Sequence, residues 1–432
     1  MVHCKSSHQN ALAIEIMGSI RLYTKGWRAN DYLVALMVLI IPIFNRLMPL
    51  LLIFMLITTL FLPAKSEEIK DRLKPNKPLF WFIAFYLYHL IGMIYSENLV
   101  FGWNDLGIKL SFLVLPLIIA FSDIRLNKDK IVDMILLGLF LSAVIALSKA
   151  AFKSVYYPED NHWAYFTESY LAFSMHRSYY ATYMALGVLL SADRYFTFKN
   201  LKYLGAAILF ALITMLTFSK AGILILVILI IPLLFVYIYR NWGKLIAAVG
   251  SAFMVITVIG AIWFTPTLHS RFEKMFEGVT SASTANNTSV ESNESRLIMW
   301  STSLRLINEN LLFGVGTGDV SDALDEKNKQ LGNTGVAERS LNSHNQYLNT
   351  WVQLGLIGLL LLFVIIITSM ITALSVRFMP FVYLIMVISL TMSFESFLET
   401  QAGIIPVTLL MTLFVIKAKK NEIAHSDTVL SA

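Results

Sequence analysis

Two runs, ESNESRLIMWSTSLRLINENLLFGVGTGDV (Glu291–Val320) and LNSHNQYLNTWVQLGLIG (Leu341–Gly358), decide how the rest of the chain is read. In the first, Leu297, Trp300, Leu304 and Ile307 recur at steps of three and four, which predicts a helix with one apolar face. Arg296 stands at the head of that helix, where the helix dipole disfavours a positive side chain. A ligand to be held would give it a reason to be there. Gly314, Gly316 and Gly318 then make a tight turn. No strand in a βαβ setting precedes them and no GK[ST] follows, so a nucleotide-binding loop is a poor reading. In the second run His344 lies between Ser343 and Asn345, with Gln346 and Tyr347 following at the start of an apolar segment. Long apolar segments flank the whole stretch. A membrane protein with one functional loop outside the bilayer is the first expectation.

Composition supports this. Of 432 residues, 57% are hydrophobic and 14% charged, against roughly 25% charged in a soluble domain; mean hydropathy is +0.66. The net charge of +6 is accounted for by orientation charges beside membrane helices, so it implies no nucleic-acid partner. The single cysteine, Cys4, excludes a disulfide framework within one chain. Apolar segments recur from Tyr32 to Ile416, and counting them predicts an all-α polytopic membrane protein with about twelve transmembrane helices. The first two are split only by Asn45, Arg46 and Pro49 and could instead form a re-entrant hairpin. The expected organisation is a cytoplasmic segment 1–30, nine helices in 31–265, a large periplasmic loop 266–345, three helices in 346–416 and a cytoplasmic tail 417–432. Lysines and arginines concentrate on the side holding both termini, which makes that side cytoplasmic.

The outward segments hold the candidate site residues. Arg177 opens the sixth apolar segment after an aromatic run, and reads either as an interfacial arginine or as one facing a cavity. Lys109 either snorkels to the outer headgroups or faces the bundle interior. Lys220 follows Ser219, a plausible N-cap, in a hairpin with almost no loop; the pair could hold a phosphate on free helix N–H groups. A short helix is expected over 265–278, and a Ser/Thr/Asn-rich stretch over 280–293 has no core-forming pattern. Asn345 and Gln346 can bind sugar hydroxyls or cap the following helix, and Tyr347 shares a face with His344. Glu395 and Glu399, four apart on one helical face, could bind a cation, orient His344 or partner Arg177. His344 itself suits acid–base work near neutrality. His162, His176, His269 and His344 are scattered without HExxH spacing, so no metal site is expected.

The quoted runs, together with LTFSKAGIL (Leu216–Leu224) and ESFLETQAG (Glu395–Gly403), resemble the shared domain of the O-antigen ligase and O-antigen polymerase superfamily, in a Bacteroidetes-type form. Lys220 stands where that family usually has an arginine. It keeps the charge and loses the two-pronged guanidinium. The resemblance implies a fold similar to the C-type glycosyltransferases and sugar transfer on the periplasmic face of the inner membrane. The donor would be a glycan on undecaprenyl diphosphate; in a ligase the acceptor is a lipid A–core oligosaccharide. It also implies Arg296, His344 and Lys220 as site residues. Direct attack with no second nucleophile in the motif predicts inversion at the sugar, and the positive side chains would take the role of a cation, so neither metal nor cofactor is expected. A polymerase or protein O-oligosaccharyltransferase of the same superfamily is the alternative. A transporter of lipid-linked glycan is the rival class, but it should show repeats and broken helices near the bilayer centre, and no repeat is visible.

Overall fold

The computed structural model describes residues 24–74, 77–157, 162–172, 175–264, 269 and 292–418. The helix expected over 265–278 (His269 apart) and the stretch 280–293 (292 and 293 apart) lie outside the described residues. So do most of the N-terminal segment and the tail. Among the described residues the regular elements are helical, apart from one isolated bridge between Pro63 and Ser122. They run α1 (Ala29–Ile40), α2 (Met48–Phe61), α3 (Ser66–Arg72), α4 (Pro78–Gly92), α5 (Leu99–Lys109), α6 (Ser111–Phe121), α7 (Lys128–Tyr156), α8 (Glu168–Leu171), α9 (Arg177–Phe198) and α10 (Leu201–Leu216). Then follow α11 (Lys220–Ile225), α12 (Ile231–Trp242), α13 (Lys244–Phe264), α14 (Ser292–Glu309), α15 (Val320–Gln330), α16 (Thr334–Ala337), α17 (Gln346–Ser375), α18 (Met379–Met392) and α19 (Gln401–Ala418). Side-chain oxygens of Asn98, Asn127, Asn200, Ser219 and Asn345 cap the helices they precede, and proline opens α2, α4 and α18, where its missing N–H costs nothing.

The expected count of about twelve spans is corrected by the lengths of these helices. Among the described residues five are long and apolar enough to cross a bilayer: Pro78–Tyr95, Leu99–Phe121, Lys128–Tyr156, Lys220–Tyr239 and Gln346–Ser375. Five more apolar helices, among them α1, α10, α18 and Gln401–Lys417, are only 10–17 residues long. A crossing needs ~20 residues. α9 is long enough but carries Arg177, Asp193 and Arg194, and every residue from Ser178 to Ser191 is buried by other helices. Hydropathy counts apolar segments; it does not separate a span from a short or enclosed helix. The fold is therefore all-α and multi-pass, and the twelve-helix, C-type glycosyltransferase-like architecture falls with the count. α1 and α2 illustrate the difference. Ser142 of α7 donates to the carbonyl of Pro42 at 2.8 Å, while Thr58 donates to Asn30 at 2.6 Å. The pair is a hairpin whose turn lies roughly 20 Å along α7 from Lys128, short of a ~30 Å hydrocarbon core.

α9 is the axis of the bundle and packs on α10, α11, α18 and α7. The two ends of the bundle differ in chemistry. At one, Arg28 pairs with Asp123 at 2.6 Å and Arg194 with Asp129 at 2.9 Å. There Arg72 donates to the carbonyls of Ala120 and Ser122, Lys417 to that of Ile124, and Lys128 lies 4.8 Å from the Phe378 ring centre. At the other end α4 finishes, α9, α11 and α17 begin, and α14–α16 form a small polar-faced unit. That unit buries Met299, Leu306, Ile307, Val320, Leu324 and Val336 against Val352 of α17.

Candidate active site

Arg296, His344 and Glu395 meet at this second end. Arg296 lies in the second turn of α14; its Nη1 donates to the Phe394 carbonyl at 2.8 Å and its Nη2 to Glu395 Oε1 at 2.7 Å. The other carboxylate oxygen, Oε2, lies 3.8 Å from His344 Nδ1, farther than a hydrogen bond reaches. Burial alone would raise the Glu395 pKa, but the His344 and Arg296 side chains outweigh it and hold the carboxyl at about 2. Arg296 and His344 each keep about a quarter of the side chain exposed, 27%, against 8% for Glu395. The carboxylate is the enclosed anchor and the two cationic or basic groups face outward.

The local chain explains why His344 stands where it does. Ser343 is fully buried and accepts a hydrogen bond from Ser303 of α14 at 2.9 Å. Asn345 caps α17 by accepting from the Leu348 N–H at 3.1 Å and donates to the Ser393 carbonyl at 3.1 Å. Between them His344 is forced to φ +45, a left-handed conformation unusual for a residue with a side chain. Its N–H donates to Asn342 Oδ1 at 3.0 Å. The apolar face expected for α14 is turned: Met299, Thr302 and Ser303 are fully buried, whereas Leu304 is 50% exposed. Thr302 donates to Asn328 and Ser303 to Ser343, so the helix packs through polar contacts that hydrophobic periodicity cannot show.

The glycine turn proves to be an insertion into α17. Gly355 has φ +67 and breaks that helix. The carbonyls of Val352 and Gln353, freed from the helical ladder, accept from the N–H groups of Val315 (2.8 Å) and Gly316 (3.0 Å), and the Leu356 N–H donates to the Leu311 carbonyl at 2.9 Å. Gly314 and Gly355 are glycine because the backbones touch: a Cβ on Gly314 would lie 2.5 Å from the Gly355 nitrogen.

The remaining candidates divide. Arg177 donates to Glu168 at 2.9 Å. Lys220 is the first residue of α11 and half-buried; Gly222 just beyond it abuts Ala181, one turn into α9 from Arg177, so Lys220 belongs to the same end. Gln346 donates to Glu399 at 2.8 Å and accepts from the Leu398 N–H at 2.7 Å, and Tyr347 donates to the Ser389 carbonyl at 2.9 Å. Glu395 and Glu399 do not act as a pair: Glu399 turns inward to Lys109 at 2.7 Å. His176, which was not among the candidate site residues, caps α9 beside the cluster, its Nδ1 accepting from the Ser178 N–H at 3.4 Å. Burial lowers its pKa, Glu395 opposes that, and Arg177, Arg296 and His344 add to the lowering. Its signal was the His–Arg pair at a helix head.

Two comparisons with known proteins match parts of the chain. A Haemophilus influenzae protein described only as uncharacterized is 42% identical over 77 residues, 17% of this chain and 18% of its own length; the match thus spans less than a fifth of that relative. The O-antigen ligase family profile matches residues 205–363, a range that contains Lys220, Arg296, His344 and the broken head of α17. The chain therefore carries an O-antigen ligase domain over residues 205–363, rather more than a third of its length.

Proposed function

We propose that the protein is an O-antigen ligase: it transfers a glycan from undecaprenyl diphosphate to a hydroxyl of lipid A–core oligosaccharide at the periplasmic face of the inner membrane. The observation that carries the reading is the Arg296–Glu395–His344 constellation at the head of α17, two of its three members inside the matched domain. The acceptor hydroxyl attacks the anomeric carbon as the C1–O bond to the diphosphate breaks, and the bonding electrons leave with the diphosphate. The negative charge of Glu395, 3.8 Å from Nδ1 of His344, favours the tautomer with its proton on that nitrogen, which leaves Nε2 as the acceptor for the hydroxyl proton. Arg296, anchored by Glu395 through one nitrogen, stabilises charge growing on the diphosphate, and Lys220 adds a second positive group from the head of α11. One displacement inverts the anomeric configuration. Arg296 and Lys220 supply the positive charge that a cation provides elsewhere.

The test is transfer by purified protein with lipid-linked glycan, lipid A–core and no energy source. His344→Ala should lose roughly 10²–10⁴-fold in rate and Arg296→Ala roughly 10²–10³-fold, both at normal membrane abundance. Lys220→Arg should retain activity. In cells, loss of a ligase leaves unmodified lipid A–core and long lipid-linked glycan. Core bearing a single repeat unit would indicate a polymerase instead, and wild-type transfer by His344→Ala would overturn the mechanism.

A further inference from the structure

Lys109 is 1% exposed, inside the span Leu99–Phe121. Its ammonium donates to both oxygens of Asp105 at 2.6 and 2.7 Å and to Glu399 Oε2 at 2.7 Å, with Gln353 Oε1 at 3.4 Å. Ionised groups at such depth are expensive, and apolar residues of like volume would pack at least as well. The partners of this ammonium explain its presence. Glu399 ends the turn that carries Glu395, and its other oxygen accepts from Gln346, two residues beyond His344. Gln346 in turn accepts from the Leu398 N–H. Asp105 accepts from Gln353 at 2.8 Å, and Gln353 also donates to the Thr317 carbonyl at 3.1 Å, in the loop inserted into α17. One ammonium thus ties together, through single intermediaries, the turn at 393–400, the head of α17 and the glycine loop.

We infer that Lys109 is a positioning residue for the transfer reaction: through Glu399 and Gln346 it sets the register of Glu395 against Arg296 and His344, without touching substrate. The inference rests on the transfer reading above. It predicts a split between turnover and binding. Glu399→Gln keeps shape and the Asp105–Lys109 pair while loosening the tie. It should fold normally and lose roughly 10- to 100-fold in kcat while KM for the lipid-linked donor stays within about twofold. Lys109→Met should lose as much, and the double variant no more than the worse single one. A second readout needs no activity. Spin labels at Glu338 and Gln401, both exposed, on a Cys4→Ser background should give a narrow distance distribution in the parent and a broad one in Glu399→Gln. An unchanged narrow distribution overturns the positioning role whatever the activity. So does a broadened distribution with parental kcat. Broadening in a protein whose parent form transfers nothing upholds the pinning of the turn and overturns the transfer reading instead.

Discussion

Glu395 is enclosed, ionised, hydrogen-bonded to Arg296 and 3.8 Å from His344, so its protonation should be read directly in stability. Its pKa is about 2 in the folded protein against an ordinary 4.5. A depressed carboxyl contributes stability that is fully present above its unfolded value and is lost as pH falls toward the folded one. The difference corresponds to on the order of 3 kcal/mol. Thermal unfolding in detergent should therefore separate Glu395→Gln from the parent at pH 7, with the gap closing between about pH 5 and pH 2. A gap independent of pH would mean that Glu395→Gln acts through shape alone. At this scale the sequence was informative about residue type and silent about pairing. Arg296, His344 and Glu395 each stood out as a polar group beside apolar segments. That Glu395 and not Glu399 meets Arg296 depends on a turn between α18 and α19, which replaces the helical face expected to carry both acids.

The break in α17 belongs to the scale of elements. GVGTG (Gly314–Gly318) was legible as a turn because glycine spacing is a local signal. Its partner, Gly355, lies in a segment whose hydropathy is that of an uninterrupted helix, and only the tertiary contact shows why a glycine is needed there. Lys109 was ambiguous for the same reason: its three polar partners come from distant parts of the chain and from its own helix. Gly355→Ala should be severely destabilising, since a Cβ there would lie 2.2 Å from the Leu312 carbonyl oxygen and 2.4 Å from the Phe313 nitrogen, both backbone atoms, at a φ that alanine rarely adopts. We expect a loss on the order of 3 kcal/mol. Gly107→Ala is the control. It sits in α5 with nothing within 4 Å of the added carbon, and should be neutral or stabilise by about 0.5–1 kcal/mol. Equal melting temperatures for the two variants would refute the close-packed insertion.

At the scale of the whole molecule the number of crossings was not legible in hydropathy. The charge asymmetry was, and the helices sort it to two ends. Arg28, Arg72, Arg125, Lys128, Arg194 and Lys417 gather where α6 ends and α7 begins, while Arg296, His344 and Glu395 lie at the other end. Short basic connections are retained on the cytoplasmic side, so the candidate site should face the opposite, periplasmic side. This orientation follows from the charges without counting spans. On a Cys4→Ser background, an impermeant maleimide added to intact spheroplasts should modify a cysteine replacing exposed Glu338, on the site end. A cysteine replacing exposed Lys202, at the start of α10 on the basic end, should react only after the membrane is permeabilised. Labelling of the Lys202 position alone in intact spheroplasts would invert the molecule. It would put Arg296 and His344 in the cytoplasm, and a periplasmic ligase could not be built on this site.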